Sequence, residues 1–336
     1  MRQSAADVTL PPCCHTYIRA KDRSGHMKKI HEAFKLVDMN SYIKNSLELD
    51  LAELAKMKPI HSGYENLDKI TSIYPGLYVI GAVSSLGKTT FMHQMADQIA
   101  DEGKNVLYIS LEQTKQELAT KSLSRLMANI NVNEALTAIQ IRNNIHNDCL
   151  DLAKEMYSNK PAKVTVAYGE RNATMRNIEN VINKYMLENN CTPVVIIDYL
   201  QTLEPGDDKR MTMKEQVDDD LRGLKLLQMK NNMVIMVISS FNRQNYLEVV
   251  DFTSFKESGG IEYTADVVWG LQLSVVHEDT FEKSSKISKK RELFAKAKAS
   301  SPREIELVCL KNRFGISNYV CKFDYFAEYD YFVPVE

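Results

Sequence analysis

The sequence predicts an α/β protein with a mostly parallel central sheet flanked by helices and a short helical extension at its N-terminal side. Short runs rich in Val and Ile alternate with stretches of helical periodicity, the pattern of parallel strands joined by crossover helices. One of those runs passes through a short Gly-bearing loop directly into a helical stretch. With 336 residues and 44% hydrophobic content, the chain can bury a full core in one large domain carrying an appendage.

Residues 1–33 mix Pro, Cys, His and basic residues without periodicity and read as a flexible tail. Residues 34–58 read as a helical linker. Asn40 is placed to cap SYIKNSLELDLAELAKM, where Ile43, Leu47, Leu51, Leu54 and Ala55 recur at helical spacing until Pro59 stops the pattern. Such a helix packs either on its own domain or on a neighbouring copy, and the periodicity leaves both open. Residues 59–336 form the main domain. LYVIGA (77–82), NVLYISL (105–111), KVTVAY (163–168), PVVIID (193–198), MVIMVIS (233–239) and DVVWGLQL (266–273) are its strands, and their near-continuous apolar character suits burial on both faces. Helices fill the gaps at about 89–102, 114–130, 174–189 and 213–230. EIELVCLK (304–311) and NYVCKFDY (318–325) flank Arg313, Phe314 and Gly315 as an antiparallel pair at one sheet edge. The Lys-rich stretch with Lys289, Lys290 and Arg291 reads as a solvated loop or helix.

Lys and Arg total 42 against 44 for Asp and Glu, a formal net charge of −2, so no global field draws in a polyanion. A nucleic-acid surface on this chain has to be local, as in a lined channel. The six cysteines are sparse, and no stretch reaches the ~20 apolar residues of a membrane span; a reducing cytoplasm is the expected setting. Cys13, Cys14 and His15 lack the spacing of a zinc site.

The strand at 77–82 runs into VSSLGKTT and then a helix, so Ala82-x4-Gly87-Lys88-Thr89 is a phosphate-binding loop with Ala in place of its first Gly. Gly87 lets the backbone curl until successive N–H groups face a phosphate, and the following helix adds its positive end. Lys88 is expected to reach the β- and γ-phosphates and Thr89 to hold Mg²⁺. The nucleotide-binding set is Ala82, Ser84, Ser85, Gly87, Lys88, Thr89, Thr90 and Asp198. Asp198 closes an apolar strand, which keeps a carboxylate beside the metal at a dry strand end. Glu112 follows the strand after the phosphate-loop helix and is the expected base. In a parallel sheet these strand ends share one edge.

From about Ile60 to Phe326 the chain resembles the C-terminal ATPase domain of DnaB-type replicative helicases, a RecA-like P-loop NTPase. IHSGYENLDKITSIYPGLYVIGAVSSLGKTT, the Ser-Leu-Glu element at 110–112, IIDYLQ (196–201), KESGGIEYTADVV (256–268) and KNRFG (311–315) carry the resemblance, in order. It implies a homo-hexameric ATPase ring around single-stranded DNA in replication, using ATP and Mg²⁺. It assigns Glu112 as catalytic glutamate and Lys311 with Arg313 as cations reaching the neighbouring copy's γ-phosphate. Lys256, Glu257 and Gly259 match the family's DNA loop, and Lys209, Arg210 and Lys214 lie on a second loop after the Asp198 strand. Primase or a helicase loader are the implied partners.

The chain departs from the family pattern at Ser240, where a Gln usually stands, and Ser240 is too short for the same contact. The alternative this sustains is a RecA-like recombination or regulatory ATPase without strand separation. The N-terminal collar domain of the family is also absent, with about 60 residues ahead of the core. A P-loop kinase would need an Arg-rich lid and an acceptor pocket, and neither is evident.

Overall fold

The structure is a computed structural model. It describes residues 18–21, 27–30, 36–56, 59–169, 173–204, 211–242, 245–256, 259–282, 284 and 286–336. The chain divides into two compact units, Met1–Lys58 and Pro59–Glu336.

In the first unit, β1 (Ile18–Lys21) and β2 (Met27–Ile30) pair antiparallel within the stretch read as a structureless tail. Helices α1 (Met39–Asn45) and α2 (Leu47–Lys56) follow, separated at Ser46. The cap is Asp38, not Asn40. The Asp38 carboxylate accepts from the Asn40 and Ser41 amides at 3.3 and 3.0 Å, and as a charged acceptor it suits the positive helix end.

In the second unit, the short helix α3 (Glu65–Asp68) precedes β3 (Gly76–Ala82), α4 (Lys88–Asp101), β4 (Val106–Ser110), α5 (Lys115–Ile130), α6 (Ala138–Arg142), α7 (Asp148–Ser158) and β5 (Val164–Tyr168). There follow α8 (Met175–Asn189), β6 (Val194–Asp198), α9 (Met213–Asn231), β7 (Val234–Ser240), α10 (Gly259–Thr264), β8 (Val267–Leu273), α11 (Asp279–Glu282) and α12 (Ile287–Ala299). The chain ends on β9 (Arg303–Asn312), β10 (Val320–Phe326) and β11 (Tyr331–Val335). One nine-stranded sheet runs in the order β11-β10-β9-β8-β3-β7-β6-β4-β5. From β5 to β8 every pairing is parallel, whereas β9, β10 and β11 return antiparallel. The expected β9–β10 pair is present, but β11 and not this pair forms the edge. Pro334 lies in β11, and Pro is tolerated in a strand mainly at an edge.

The period-2 geometry of strands explains the continuous apolar runs. Tyr78, Ile80 and Ala82 of β3 pack into one core with Phe91, Met92, Met95 and Ile99 of α4. Leu77 and Val79 face a second core with Ile178 and Ile182 of α8 and Leu221 and Leu224 of α9. Helices α5 and α7 close a third, smaller cluster around Met127, Cys149 and Leu150. Reciprocal Thr–Glu caps fix the starts of α5, by Thr114 and Glu117, and of α9, by Thr212 and Glu215. The Lys-rich stretch is largely α12.

Phe91 sits where α4 meets the antiparallel strands. It is fully buried, stacks on Tyr64 at 4.6 Å and meets Phe323 and Phe332 edge-on at 5.3 Å each. Phe91→Ala should lower the unfolding free energy by about 3–5 kcal/mol, read as a lower urea midpoint with unchanged slope. A loss below about 1 kcal/mol would mean the aromatic cluster does not carry this junction.

Candidate functional site

The loop between β3 and α4 is shaped by backbone conformations. Gly87 caps α4 at φ +95°, and a Cβ there would come within 2.9 Å of the Phe332 and Tyr325 rings; a side chain is excluded both by the left-handed conformation and by space. Ser85 also has a positive φ of 60°. Val83 and Leu86 are buried while Ser84 and Ser85 are exposed. Three side chains from distant elements hold the loop. Lys298 Nζ of α12 donates to Ser84 O at 2.8 Å, Arg303 Nη1 donates to Ser85 O at 3.3 Å, and Tyr246 Oη accepts from Ser84 N at 3.4 Å. None of the three was legible from local sequence.

Lys88 is half-buried at the start of α4. Burial pushes its ammonium pKa down, and the charges of Asp198 and Glu112 push it back up. Thr90 faces inward: its hydroxyl donates to Asp330 Oδ1 at 3.0 Å. Of the paired threonines, it is Thr89 whose hydroxyl bears on Asp198.

Asp198 ends β6 and is completely buried. Tyr108 Oη donates to Asp198 Oδ2 at 2.9 Å, while Oδ1 has no hydrogen-bond partner among the described residues. Burial raises the Asp198 pKa; the Thr89 and Tyr108 hydroxyls lower it. A buried carboxylate with one unshared oxygen beside a threonine hydroxyl is a donor set that fits a hard divalent cation. Ser110, the last residue of β4, lies in register with Asp198. The Ser110 hydroxyl donates to Gln113 O at 2.6 Å and accepts from Gln113 N at 3.1 Å, which turns the chain and leaves Glu112 exposed at the sheet edge. Ser240 aligns with Ala82. Gln201 bridges the neighbouring ends, donating to Ser239 Oγ at 2.8 Å and accepting from Ser240 N at 3.3 Å.

Lys311 and Arg313 are not brought to this edge. Arg313 Nη1 pairs with Asp266 Oδ1 at 2.9 Å, and Lys311 Nζ donates to Glu262 O at 2.7 Å. Asp266 in turn sits beside the beginning of β3: its Oδ2 accepts from Leu77 N at 2.8 Å. The phosphate loop follows the other end of β3, about 20 Å away at ~3.3 Å per residue. Burial and the Arg313 charge lower the Lys311 pKa.

Lys256 is exposed, with its amide donating to Ser240 O at 3.0 Å, and Gly259 opens α10. The Lys214 side chain lies 3.7 Å from where a Gly259 Cβ would stand, so the starts of α9 and α10 meet. Glu257, Lys209 and Arg210 lie outside the described residues, as do Cys13, Cys14 and His15. No group of three or more His, Cys, Asp or Glu suited to a metal occurs among the described residues, and no described helix is long and apolar enough to cross a membrane.

The family model of the DnaB-like helicase C terminal domain matches residues 59–333. The replicative DNA helicase DnaB of Helicobacter pylori strain J99 is 26% identical over 288 residues, covering 79% of this chain and 57% of that protein. A probable replicative DNA helicase of Trieres chinensis is 26% identical over 306 residues, covering 88% of this chain and 64% of that protein. The chain thus spans a little over half the length of these curated relatives. Among solved structures, one described as an ATPase domain superposes with a TM-score of 0.69 at 22% identity, over 89% of this chain and all of that one. A DnaB-like replicative helicase, described with its interactions with primase, gives a TM-score of 0.68 at 22% identity, over 89% of this chain and 69% of that one. The RecA-like fold is common to them.

The raised Asp198 pKa has a sign that can be tested. A carboxyl that holds its proton more tightly when folded contributes stability below its unfolded pKa and loses it as pH rises through the folded value. Above the carboxylate range Asp198 is therefore a liability to the nucleotide-free fold. Asp198→Asn should resist urea better than the parent at pH 7, by on the order of 1 kcal/mol, and the gap should close on acidification. The same variant should lose Mg²⁺-dependent nucleotide binding. A variant less stable than its parent at pH 7 would show that the Thr89 and Tyr108 hydroxyls and the Lys88 charge outweigh the cost of burying the ionised carboxylate.

Proposed function

This chain belongs to the DnaB-like helicase C-terminal domain family, and from that premise we propose that it is an ATP-driven helicase or translocase acting on single-stranded DNA in replication as a homo-hexamer. The observation that carries the reading is the division of the site. Lys88, Thr89, Asp198 and Glu112 gather at the C-terminal edge of the parallel strands, and Lys311 and Arg313 stand at the opposite edge. A single copy holds both halves of a phosphoryl-transfer site but cannot join them.

The chemistry follows from what each group can do. The N–H groups of the loop from Ser84 to Thr89 and the Lys88 ammonium hold the ATP phosphates. Thr89 and Asp198 are the residues for Mg²⁺, which when bound neutralises charge on the phosphate oxygens. Glu112, exposed beside the site, orients the attacking water and takes its proton. The β–γ phosphoanhydride bond breaks, ADP leaves, and the charge that develops on the transferred phosphoryl is stabilised by Lys311 and Arg313 of the adjoining copy. Thr90, committed to Asp330, contributes to the nucleotide site through its backbone alone.

Lys256, Glu257 and Gly259, with Lys209 and Arg210 of the second loop and Lys214 at the start of α9, form the DNA surface, holding phosphates through cations and backbone N–H groups without reading bases. Primase or a loader is the partner class, and the cytoplasm the setting. Among the described residues, Cys149, Cys191, Cys309 and Cys321 are free thiols. Family membership favours this reading over a recombination or regulatory ATPase.

Single-stranded DNA should stimulate ATP hydrolysis, and Lys88→Ala should abolish it with the fold intact. Glu112→Gln should keep ATP affinity and slow turnover by about 10²–10⁴-fold. Equal loss of binding and turnover would make Glu112 structural. Lys256→Ala should weaken DNA binding equally across sequences and flatten its salt dependence by about one phosphate's worth. Affinity set by base composition, or hydrolysis indifferent to DNA, would return the chain to the regulatory class.

A further inference from the structure

Asp266 stands just before β8 and is 1% exposed. A carboxylate so deeply placed must be paired to stay ionised, and it is paired twice over. Lys225 Nζ of α9 approaches Oδ2 at 2.5 Å and Arg313 Nη1 approaches Oδ1 at 2.9 Å, while Leu77 N also donates to Oδ2 at 2.8 Å. Two cations thus share one buried acid, and they do so unequally. The Lys225 side chain is 20% exposed, whereas that of Arg313 is 61% exposed.

The Arg313 backbone is fixed on both sides of this contact. Its amide donates to Asp266 O at 3.0 Å. The next residue, Phe314, lies over Gly76, where a Cβ would come within 2.7 Å of the ring, and it packs against Tyr74 and Tyr78 at 5.8 and 6.2 Å. The main chain is anchored, while the guanidinium is aimed outward by its one ion pair among the described residues. If Arg313 leaves Asp266, Lys225 remains, so no buried charge is stranded.

We propose that Asp266 and Lys225 are positioning residues for Arg313: Asp266 aims the guanidinium out of its own chain, and Lys225 keeps the carboxylate compensated while Arg313 engages a phosphate on the neighbouring copy. The inference rests on the reading of Arg313 as a cation supplied in trans. A guanidinium held in place before the phosphate arrives has less freedom to lose in the transition state.

The test uses mixed assemblies of full-length chains, with subunit exchange established first. Asp266→Asn retains an acceptor for Leu77 N. Alone it should keep ATP affinity and its circular dichroism spectrum, but lose at least about tenfold in turnover, a part of the ~10³–10⁵ that such a cation supplies. Mixed with Lys88→Ala it should recover turnover, because its own phosphate loop meets an intact Arg313 from the partner. Mixed with Arg313→Ala it should stay flat, because neither chain presents a working cation.

Damage relayed through Leu77 to the chain's own phosphate loop predicts the reverse pattern, rescue by Arg313→Ala and none by Lys88→Ala, and that result overturns the proposal. Lys225→Met, which leaves the Leu77 bond untouched, makes Arg313 the sole cation paired with Asp266 among the described residues and should show the same one-sided pattern; it decides the matter if Asp266→Asn does not fold. The pairing of Arg313→Ala with Lys88→Ala is the control. A flat control overturns the trans reading itself, whereas a rescued control with the reversed pattern overturns this inference alone.

Discussion

Six neighbouring strands of the main sheet, β5 to β8 in sheet order, pair parallel, and that polarity decides where the functional loops of a single copy emerge. Every loop that follows a parallel strand emerges at the same edge, so Ala82 in register with Ser240, and Ser110 in register with Asp198, come to that edge without any long-range design of the loops themselves. β9 runs the other way. Its last residues pair with the first residues of β8, Lys311 with Val268 and Asn312 with Val267, so the cations that follow it are delivered to the edge where β3 begins. The buried strand that carries the phosphate loop at one end has Asp266 and Arg313 at the other. Under the proposed ring assembly, such a polarity would let each copy offer its phosphate loop to one neighbour and its cations to the next.

Buried charge is treated in two contrasting ways. Asp97 accepts from Ser122, Arg125 and Tyr157, and Arg125 also donates to Asp330 O at 2.9 Å. That network, closed under α4, ties the helix to α5, α7 and the β10–β11 turn, and such fully satisfied clusters specify a unique packing. Asp266 is similarly saturated. Asp198 is not: Tyr108 donates to its Oδ2, and its Oδ1 has no hydrogen-bond partner among the described residues. Asp97 and Asp266 have their charge compensated within the described residues, whereas Asp198 keeps one oxygen unshared, as the proposed cation would require.

The strands were legible because burial on both faces writes itself as unbroken Val and Ile, and the phosphate loop because its parts are contiguous. What escaped is what depends on the fold. α6 and α7 are short and are started by local caps, Thr137 with Gln140 and Asn147, that look like turn residues in the bare sequence. β11 contains a proline and exists because β10 offers it an edge. Lys298 reaches Ser84 across 214 positions and Arg303 reaches Ser85 across 218, and no spacing rule spans such an interval. Asp266 lay inside a motif already singled out, yet only the folded chain shows that its carboxylate faces Arg313. The roles of Lys311 and Arg313 come from resemblance alone; what the sheet adds is that β9 leaves both side chains at the edge opposite the phosphate loop.

The claim that hydrolysis needs two copies can be tested by dilution. ATPase turnover per chain should be measured with saturating ATP and Mg²⁺ over a wide range of protein concentration, alongside light scattering on the same samples. The division of the site across the sheet predicts that turnover per chain falls with the assembled fraction and approaches zero in dissociated copies, while these still bind nucleotide. Turnover per chain that stays constant as the protein becomes monomeric would contradict it.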